Sequence, residues 1–464
     1  MLGATAIPTL AIKTLGCKLN QYESEQIREQ LEGVGYRTVG CDDGADVFVI
    51  NSCTVTGKTD RDARRLARRA KRLNPRSFVV MTGCYAQRSA GDLADIPEID
   101  LVVGHDGKQH IATLVPVPRT VTAEHRGNRP DSAQMIGEFS GHTRCFVKVQ
   151  EGCNASCTYC VIPQARGRSR SVPPADVVAQ AQRLGRNGHP ELVLVGTHLG
   201  RYGHDLGQGP VLSDLVMSLC GLPDVQRVRL SSIEPCEVTI PLLAMIAAGG
   251  QALSQGHPPD LGKVCRHLHI PLQSGCDSVL ERMNRPYSSS FYSDLITRAA
   301  RQQPLTCIGT DVIVGFPGET AAEFEATVAL VERLPLTYVH VFTYSPRPGT
   351  PAAEMPDQVQ PETKHQRSEV LRRLSERKRQ AFAQSTVGSR LEVVLQQRVG
   401  PGKLRGVTDN YLELTVGGPA ELPRHVVLCE VTGVRDGQLV GEMTEHPSVH
   451  LPIAPSSPGG QPCR

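Results

Sequence analysis

Short apolar runs alternate with amphipathic stretches through the first third of the chain. Leu10 to Thr14, Val47 to Ile50 and Phe78 to Met81 read as strands. Tyr22 to Glu32 and Asp60 to Leu73 read as helices, the second stopped by Asn74-Pro75. This alternation predicts a parallel, Rossmann-like α/β sheet. In such sheets ligands gather outside the carboxyl ends of the strands. Each predicted strand is followed within three residues by a cysteine, in the runs Leu-Gly-Cys17, Asn-Ser-Cys53 and Thr-Gly-Cys84. The three thiols should therefore meet at one sheet edge.

After a weakly patterned link, about Pro116 to Glu138, the apolar runs resume. They are Arg144 to Gln150, Leu192 to Val195, Val228 to Ser231, Leu268 to Leu272, Thr310 to Val314 and Tyr338 to Thr343. Helical stretches such as Pro174 to Asn187 and Ala322 to Leu334 lie between them, so a full or partial (β/α) barrel is expected, with its chemistry at the strand carboxyl ends. Gly196, Ser231 and Glu234 sit at such ends and suit a ligand with an amino-acid part, a ribose and a base. Alternatively, Ser231 caps the next element and Glu234 is a solvated helix-start carboxylate. His198 and His269 read as hydrogen-bonded structural residues. Lys364 to Arg379 reads as a bracing charged helix, and Gly249 to Lys263 as a surface insertion.

From about Ser385 the pattern changes to short strands with glycine turns: Arg390 to Leu395, Leu404 to Val407, Leu412 to Val416 and Val426 to Val434. A small antiparallel barrel is expected. The resulting domain expectation is 8–118, 139–380 and 384–446, followed by a Pro/Ser/Gly tail over 447–464 that should be disordered.

Composition narrows the function. A chain of 464 residues accommodates several domains, and a net charge of +3 excludes a global polycation. Nucleic-acid contacts must then come from local patches. Arg61, Arg65, Arg68 and Arg72 share one helix face, and Lys403, Arg405 and Tyr411 lie in the C-terminal strands. A solvated charged face is the alternative for the helix. The 15 cysteines are too few and too clustered for a secreted disulfide scaffold. With no basic leader and no membrane-length apolar run, a cytoplasmic protein without membrane association is expected.

The decisive motif is Glu151-Gly-Cys-Asn-Ala-Ser-Cys-Thr-Tyr-Cys160, in which Cys153, Cys157 and Cys160 have the spacing C-x3-C-x2-C. Three thiolates with no fourth ligand nearby leave one iron of a [4Fe–4S] cube open to an outside molecule. Cys17, Cys53 and Cys84 form a second such set, with zinc as the other metal considered; a structural zinc site would lack its fourth ligand. The other nine cysteines fit no ligand spacing.

The motif, with Tyr159 before its last cysteine, resembles that of the radical S-adenosylmethionine (SAM) enzymes. Gly16-Cys-Lys-Leu-Asn-Gln-Tyr22, Asn51-Ser-Cys-Thr54 and Thr82-Gly-Cys-Tyr-Ala-Gln87 resemble the N-terminal domain of the radical-SAM methylthiotransferases, and the first and third are similar to the branch acting on threonylcarbamoyladenosine in tRNA. The C-terminal strands resemble the TRAM module, a small RNA-binding barrel.

The resemblance implies two [4Fe–4S] clusters. One, on Cys153, Cys157 and Cys160, binds SAM and generates a 5′-deoxyadenosyl radical; the other, on Cys17, Cys53 and Cys84, supplies methylated sulfur. Tyr159, Gly196, Ser231 and Glu234 would contact SAM, and Arg61, Arg65, Arg68, Lys403 and Arg405 the RNA. The implied partners are the tRNA anticodon stem-loop at position 37 and a reductant protein such as flavodoxin or ferredoxin. Alternative substrates are isopentenyladenosine-37 in tRNA and a ribosomal-protein aspartate. The alternative of another class is a non-catalytic two-cluster iron–sulfur RNA-binding or redox protein.

Overall fold

The structure is a computed structural model that describes residues 7–116, 135–207, 211–250, 261–419 and 424–444. The expected tail over 447–464, most of the link and residues 251–260 of the insertion lie outside the described residues.

Five parallel strands make the first sheet: β1 (Thr9–Thr14), β2 (Arg37–Thr38), β3 (Val47–Ser52), β4 (Phe78–Gly83) and β5 (Leu101–Val103), in the order β2-β1-β3-β4-β5. β3 is buried along its whole length, as its uninterrupted apolar run requires for a central parallel strand. Three helices begin at or close behind the cysteines. Helix α1 (Lys18–Glu32) starts directly after Cys17, four residues before the patterned stretch. Helix α2 (Gly57–Leu73) is N-capped by Thr56, and α3 (Cys84–Arg88) begins at the third cysteine itself. Helix α2 buries Ala63, Ala67 and Ala70 against the sheet and exposes Arg61, Arg65, Arg68 and Arg72.

The middle of the chain is a partial barrel. Strands β6 (Arg144–Lys148), β9 (Glu191–Val195) and β10 (Arg227–Leu230) form one parallel sheet; β7 (Gln150–Glu151) and β8 (Arg170–Ser171) make a two-strand pair beside it. Strands β11 (His267–His269), β12 (Cys307–Val314) and β13 (Tyr338–Thr343) form a second parallel sheet. Parallel bridges Val228–Val264 and Ser232–His269 join the two sheets. The helix Pro361–Ser385 packs on β13, and its Arg367 reaches the buried Glu319 at 2.5 Å, consistent with bracing.

The C-terminal barrel is closed and has five strands: β14 (Arg390–Gly400), β15 (Lys403–Thr408), β16 (Glu413–Gly417), β17 (Val426–Arg435) and β18 (Gln438–Met443). The expectation of an all-antiparallel barrel is corrected here. β18, absent from the expected strands, closes the barrel by pairing parallel with β16 and antiparallel with β17.

Two fully buried arginines hold this barrel to the central one. Arg227 donates to the Glu392 and Val407 carbonyls at 3.0 and 2.9 Å, and Arg229 to those of Asp409 and Thr408 at 2.9 Å each. Both are anchored on Glu191, at 2.7 Å from each Nε. Burial disfavours charge on Glu191, but Arg227, Arg229 and Arg144 together hold its carboxyl far below the usual range. Tyr411, a candidate RNA contact by sequence, is half-buried beside the central barrel, 4.5 Å from the His267 ring and 5.2 Å from the Arg229 guanidinium.

Candidate active site

Three strand ends bring Cys17, Cys53 and Cys84 together. Gly16 has φ of +108°, and a Cβ there would lie 2.4 Å from Cys53 Cβ; at Gly83, φ +94°, it would lie 2.2 Å from the Ser52 carbonyl. Only glycine permits these approaches. Two buried amides stitch the loops. Asn20 donates to the Leu15 and Ser52 carbonyls at 2.8 and 3.0 Å, and Asn51 donates to the Asn20 carbonyl at 2.8 Å. The asparagines of the Gly-Cys-Lys-Leu-Asn and Asn-Ser-Cys motifs are thus the scaffold of the thiol set.

Cys53 and Cys84 are buried while Cys17 is exposed, so the set opens on one side. Burial pushes the Cys53 thiol up to about 12, reinforced by Cys17 and Cys84, and raises Cys84 as well. Such thiols are inert unless a cation draws off the proton.

Cys153, Cys157 and Cys160 lie on the loop between β7 and the helix Ile162–Arg166. Gly152, φ +74°, makes the turn; a Cβ there would meet the Arg168 carbonyl at 2.0 Å. Cys153 Sγ lies 3.3 Å from His198 Nδ1, and His198 Nε2 lies 2.8 Å from Glu237. Arg285 donates to Cys157 Sγ at 3.3 Å and pairs with Glu234. His198 is thus hydrogen-bonded, as expected, but its partner is a cysteine of the motif. Arg285 was not singled out in the sequence, where nothing near it marks a site.

Both cysteine sets suit a cube better than a single ion. Among the described residues, the one group of three such ligands whose donor atoms all fall within 4.8 Å of one another is His269, Asp311 and His340. Neither cysteine set is that compact. Zinc–sulfur bonds of about 2.3 Å would draw thiolates closer than this, whereas a four-iron cube spreads them. The donor chemistry, the glycine-lined approaches and the spacing fit [4Fe–4S] at each set.

A cavity of about 350 Å³ is lined by the Cys153, Cys157 and Cys160 set and reaches the loop that follows Cys53. One wall carries Val55 and Thr56, directly behind Cys53; the other carries Cys153, Cys157, Tyr159 and Cys160; Ser232, Glu234, Gln273, Arg285 and Asp311 complete it. Tyr159 and Glu234, two expected SAM contacts, both line this cavity. Ser231 does not: β10 ends at Leu230, Ser231 is buried, and the exposed Ser232 takes its place. Gly196 sits behind the wall, where a Cβ would approach Gln150 Oε1 at 3.0 Å. Gln273 has φ of +66° and is only 8% exposed, a strained backbone that aims a long amide side chain at the cavity.

Asp311 takes His269 Nε2 at 2.9 Å and His340 Nδ1 at 3.3 Å. Burial opposes its charge, but these two partners hold the carboxyl far below its ordinary range. Of the expected RNA contacts, Arg61, Arg65, Arg68 and Lys403 are exposed and Arg405 is half-buried.

Comparison with known proteins agrees with this geometry. Residues 9–104 match the family described as uncharacterized protein family UPF0004, and residues 147–235 match the radical SAM superfamily. The chain is 36% identical over 459 residues to the threonylcarbamoyladenosine tRNA methylthiotransferase MtaB of Bacillus subtilis, covering 94% of this chain and 98% of that protein. It is 35% identical to the protein of the same name from Aquifex aeolicus, covering 90% and 98%. A radical SAM methyltransferase from Kitasatospora setae, solved with cobalamin and a [4Fe-4S] cluster, shares the fold at a TM-score of 0.51 and 15% identity, over 75% of this chain and 77% of that one. No helix among the described residues is long and apolar enough to cross a membrane. With three thiols lining one cavity, a second set of three at the edge of the first sheet, and near full-length similarity to these relatives, the chain belongs to the radical-SAM methylthiotransferase family, in its threonylcarbamoyladenosine tRNA methylthiotransferase branch.

Proposed function

We propose that this protein transfers a methylthio group to C2 of N6-threonylcarbamoyladenosine-37 in tRNA. The observation that carries the reading is the cavity lined by Cys153, Cys157 and Cys160 that extends to Val55 and Thr56, on the loop after Cys53. With clusters and SAM bound, the Cys153, Cys157 and Cys160 site would supply hydrogen-atom abstraction from an unactivated carbon, and the Cys17, Cys53 and Cys84 site a sulfur donor. The protein's own part is to position and enclose. Arg285 and Glu234 form a charge pair on the cavity wall that would suit the amino-acid end of SAM, and Tyr159 packs beside them. Gln273 and Asp311 offer the base polar partners on the far wall.

For the tRNA, the exposed stripe Arg61, Arg65 and Arg68 with Lys403 and Arg405 supplies phosphate contacts. A reductant protein such as flavodoxin or ferredoxin delivers the electron, and the cytoplasm, where tRNA is modified, is the site of action. Reconstituted, reduced protein incubated with SAM and tRNA bearing threonylcarbamoyladenosine should yield 5′-deoxyadenosine, methionine and the 2-methylthio nucleoside by mass spectrometry. Absence of 5′-deoxyadenosine would refute the enzyme reading. Methylthiolation of isopentenyladenosine tRNA alone would refute the substrate.

A further inference from the structure

Strands β11, β12 and β13 set a group of polar side chains on one face. His267 and His269, Gly309 and Asp311, and Tyr338 and His340 share it by strand alternation, and the parallel register places Gly309 between His269 and Tyr338 and Asp311 opposite His340. Asp311, Ile313 and Phe342 of that face line the cavity that holds Cys153, Cys157 and Cys160. Gly309 leaves the slot that the Tyr338 ring fills, since a Cβ there would lie 2.0 Å from Tyr338 Cζ. The Tyr338 hydroxyl thereby reaches His267 Nε2 and His269 Nδ1, each at 3.0 Å.

With its Nδ1 held by the tyrosine, His269 aims Nε2 at Asp311 Oδ1, 2.9 Å away, and His340 brings Nδ1 to the same oxygen at 3.3 Å. One donor atom from each of the three side chains lies within 4.8 Å of the other two. Zinc bonds of about 2.0–2.2 Å in a tetrahedron set neighbouring donors about 3.3 Å apart, close to the two distances seen here. Two imidazoles and a carboxylate are a zinc ligand set that leaves one position open. A ligating imidazole is commonly fixed through its other ring nitrogen, the part Tyr338 plays for His269. His269 is buried and Asp311 half-buried, while the His340 side chain is 55% exposed and gives an ion a way in.

We propose that His269 Nε2, the Asp311 carboxylate and His340 Nδ1 form a zinc site, separate from both cysteine sets, whose open position borders the cavity. There the ion holds water or an oxygen or nitrogen atom of a bound molecule, and the site exists whichever nucleoside is modified. Two imidazoles that only share a carboxylate through hydrogen bonds would retain no metal.

Protein with both clusters reconstituted, dialysed anaerobically against low-micromolar zinc and then freed of loose metal, tests the proposal. It should retain about one zinc per chain by elemental analysis, and zinc K-edge X-ray absorption should show only nitrogen and oxygen ligands at about 2.0–2.1 Å, with imidazole scattering. His340→Ala, at an exposed position, should lower zinc retention at least about tenfold with iron and sulfide content unchanged, and Asp311→Asn should do the same. No zinc retained by the wild-type protein would overturn the proposal. So would sulfur at about 2.3 Å in the zinc shell, which would place the metal on cysteines, or equal zinc in the wild type and both variants. The absorption spectrum of the wild-type protein decides even where a variant folds poorly.

Discussion

Arg166 Nη1 lies 2.7 Å from Glu23 Oε1, and both side chains are almost wholly buried. Glu23 is on the helix that follows Cys17 and Arg166 on the helix that follows Cys160, so this one pair ties the two cysteine sets together. Arg166 also donates to Asn20 Oδ1 at 2.7 Å, reaching the amide that holds the Cys17 and Cys53 loops, and Lys108 shares Glu23. Removing one member of a buried charge pair costs about 3–5 kcal/mol because the other is left uncompensated. Arg166→Met should lower unfolding stability by that order in a denaturant titration. Arg166→Met with Glu23→Gln and Lys108→Met, which removes every charge of the buried cluster, should recover part of the loss.

At Gln273 function and stability oppose each other. Its φ of +66° is a conformation that glycine adopts without penalty. Gln273→Gly should leave the fold as stable or raise it by up to about 1 kcal/mol. Methylthio transfer should fall at least about tenfold if the amide positions the base, the order expected for one lost hydrogen bond. Chemical denaturation and single-turnover assays on the same preparation check both halves.

Glu191 is the keystone of the junction between the central and C-terminal barrels. Glu191→Gln leaves Arg227, Arg229 and Arg144 sharing a neutral amide in a fully buried site, at a cost of about 3 kcal/mol or more. The C-terminal barrel should then loosen, seen as faster proteolysis between Ser385 and Arg390 and weaker tRNA binding.

His189 gives a pH signature remote from the cysteines. It is fully buried and accepts a hydrogen bond from the Phe139 amide at 3.2 Å, and burial, then Arg424, lower its pKa from 6.5 to about 4. The unfolded chain therefore binds a proton that the native state refuses between these values. The stability from this residue is complete above pH 6.5 and is lost as pH falls toward 4. By pH 5 the loss should be about 2 kcal/mol. His189→Gln should flatten the stability profile from pH 7 to 5; an unchanged slope would count against the shift.

Much of the architecture was legible in the sequence because it rests on local pattern. The apolar runs at Val47 and Phe78 become strands β3 and β4, and glycine or serine before each cysteine marks a tight strand-end turn. The features that escaped depend on partners far apart in the chain. Arg227 and Arg229 lie inside an apolar run, and their acceptors, from Glu392 to Asp409, are about 165–180 residues away. Tyr411 looks like a surface aromatic until the barrel above it is present. Ser231 and Ser232 are separated by one residue of strand ending, a distinction no periodicity resolves.

The central claim is that the two cysteine sets do different work on one substrate, and Cys53→Ala tests it most directly. The variant, reconstituted, reduced and given SAM and tRNA bearing threonylcarbamoyladenosine, should still form 5′-deoxyadenosine and methionine while making no 2-methylthio nucleoside. Equal loss of SAM cleavage and methylthio transfer, in protein that retains the iron bound by Cys153, Cys157 and Cys160, would contradict it.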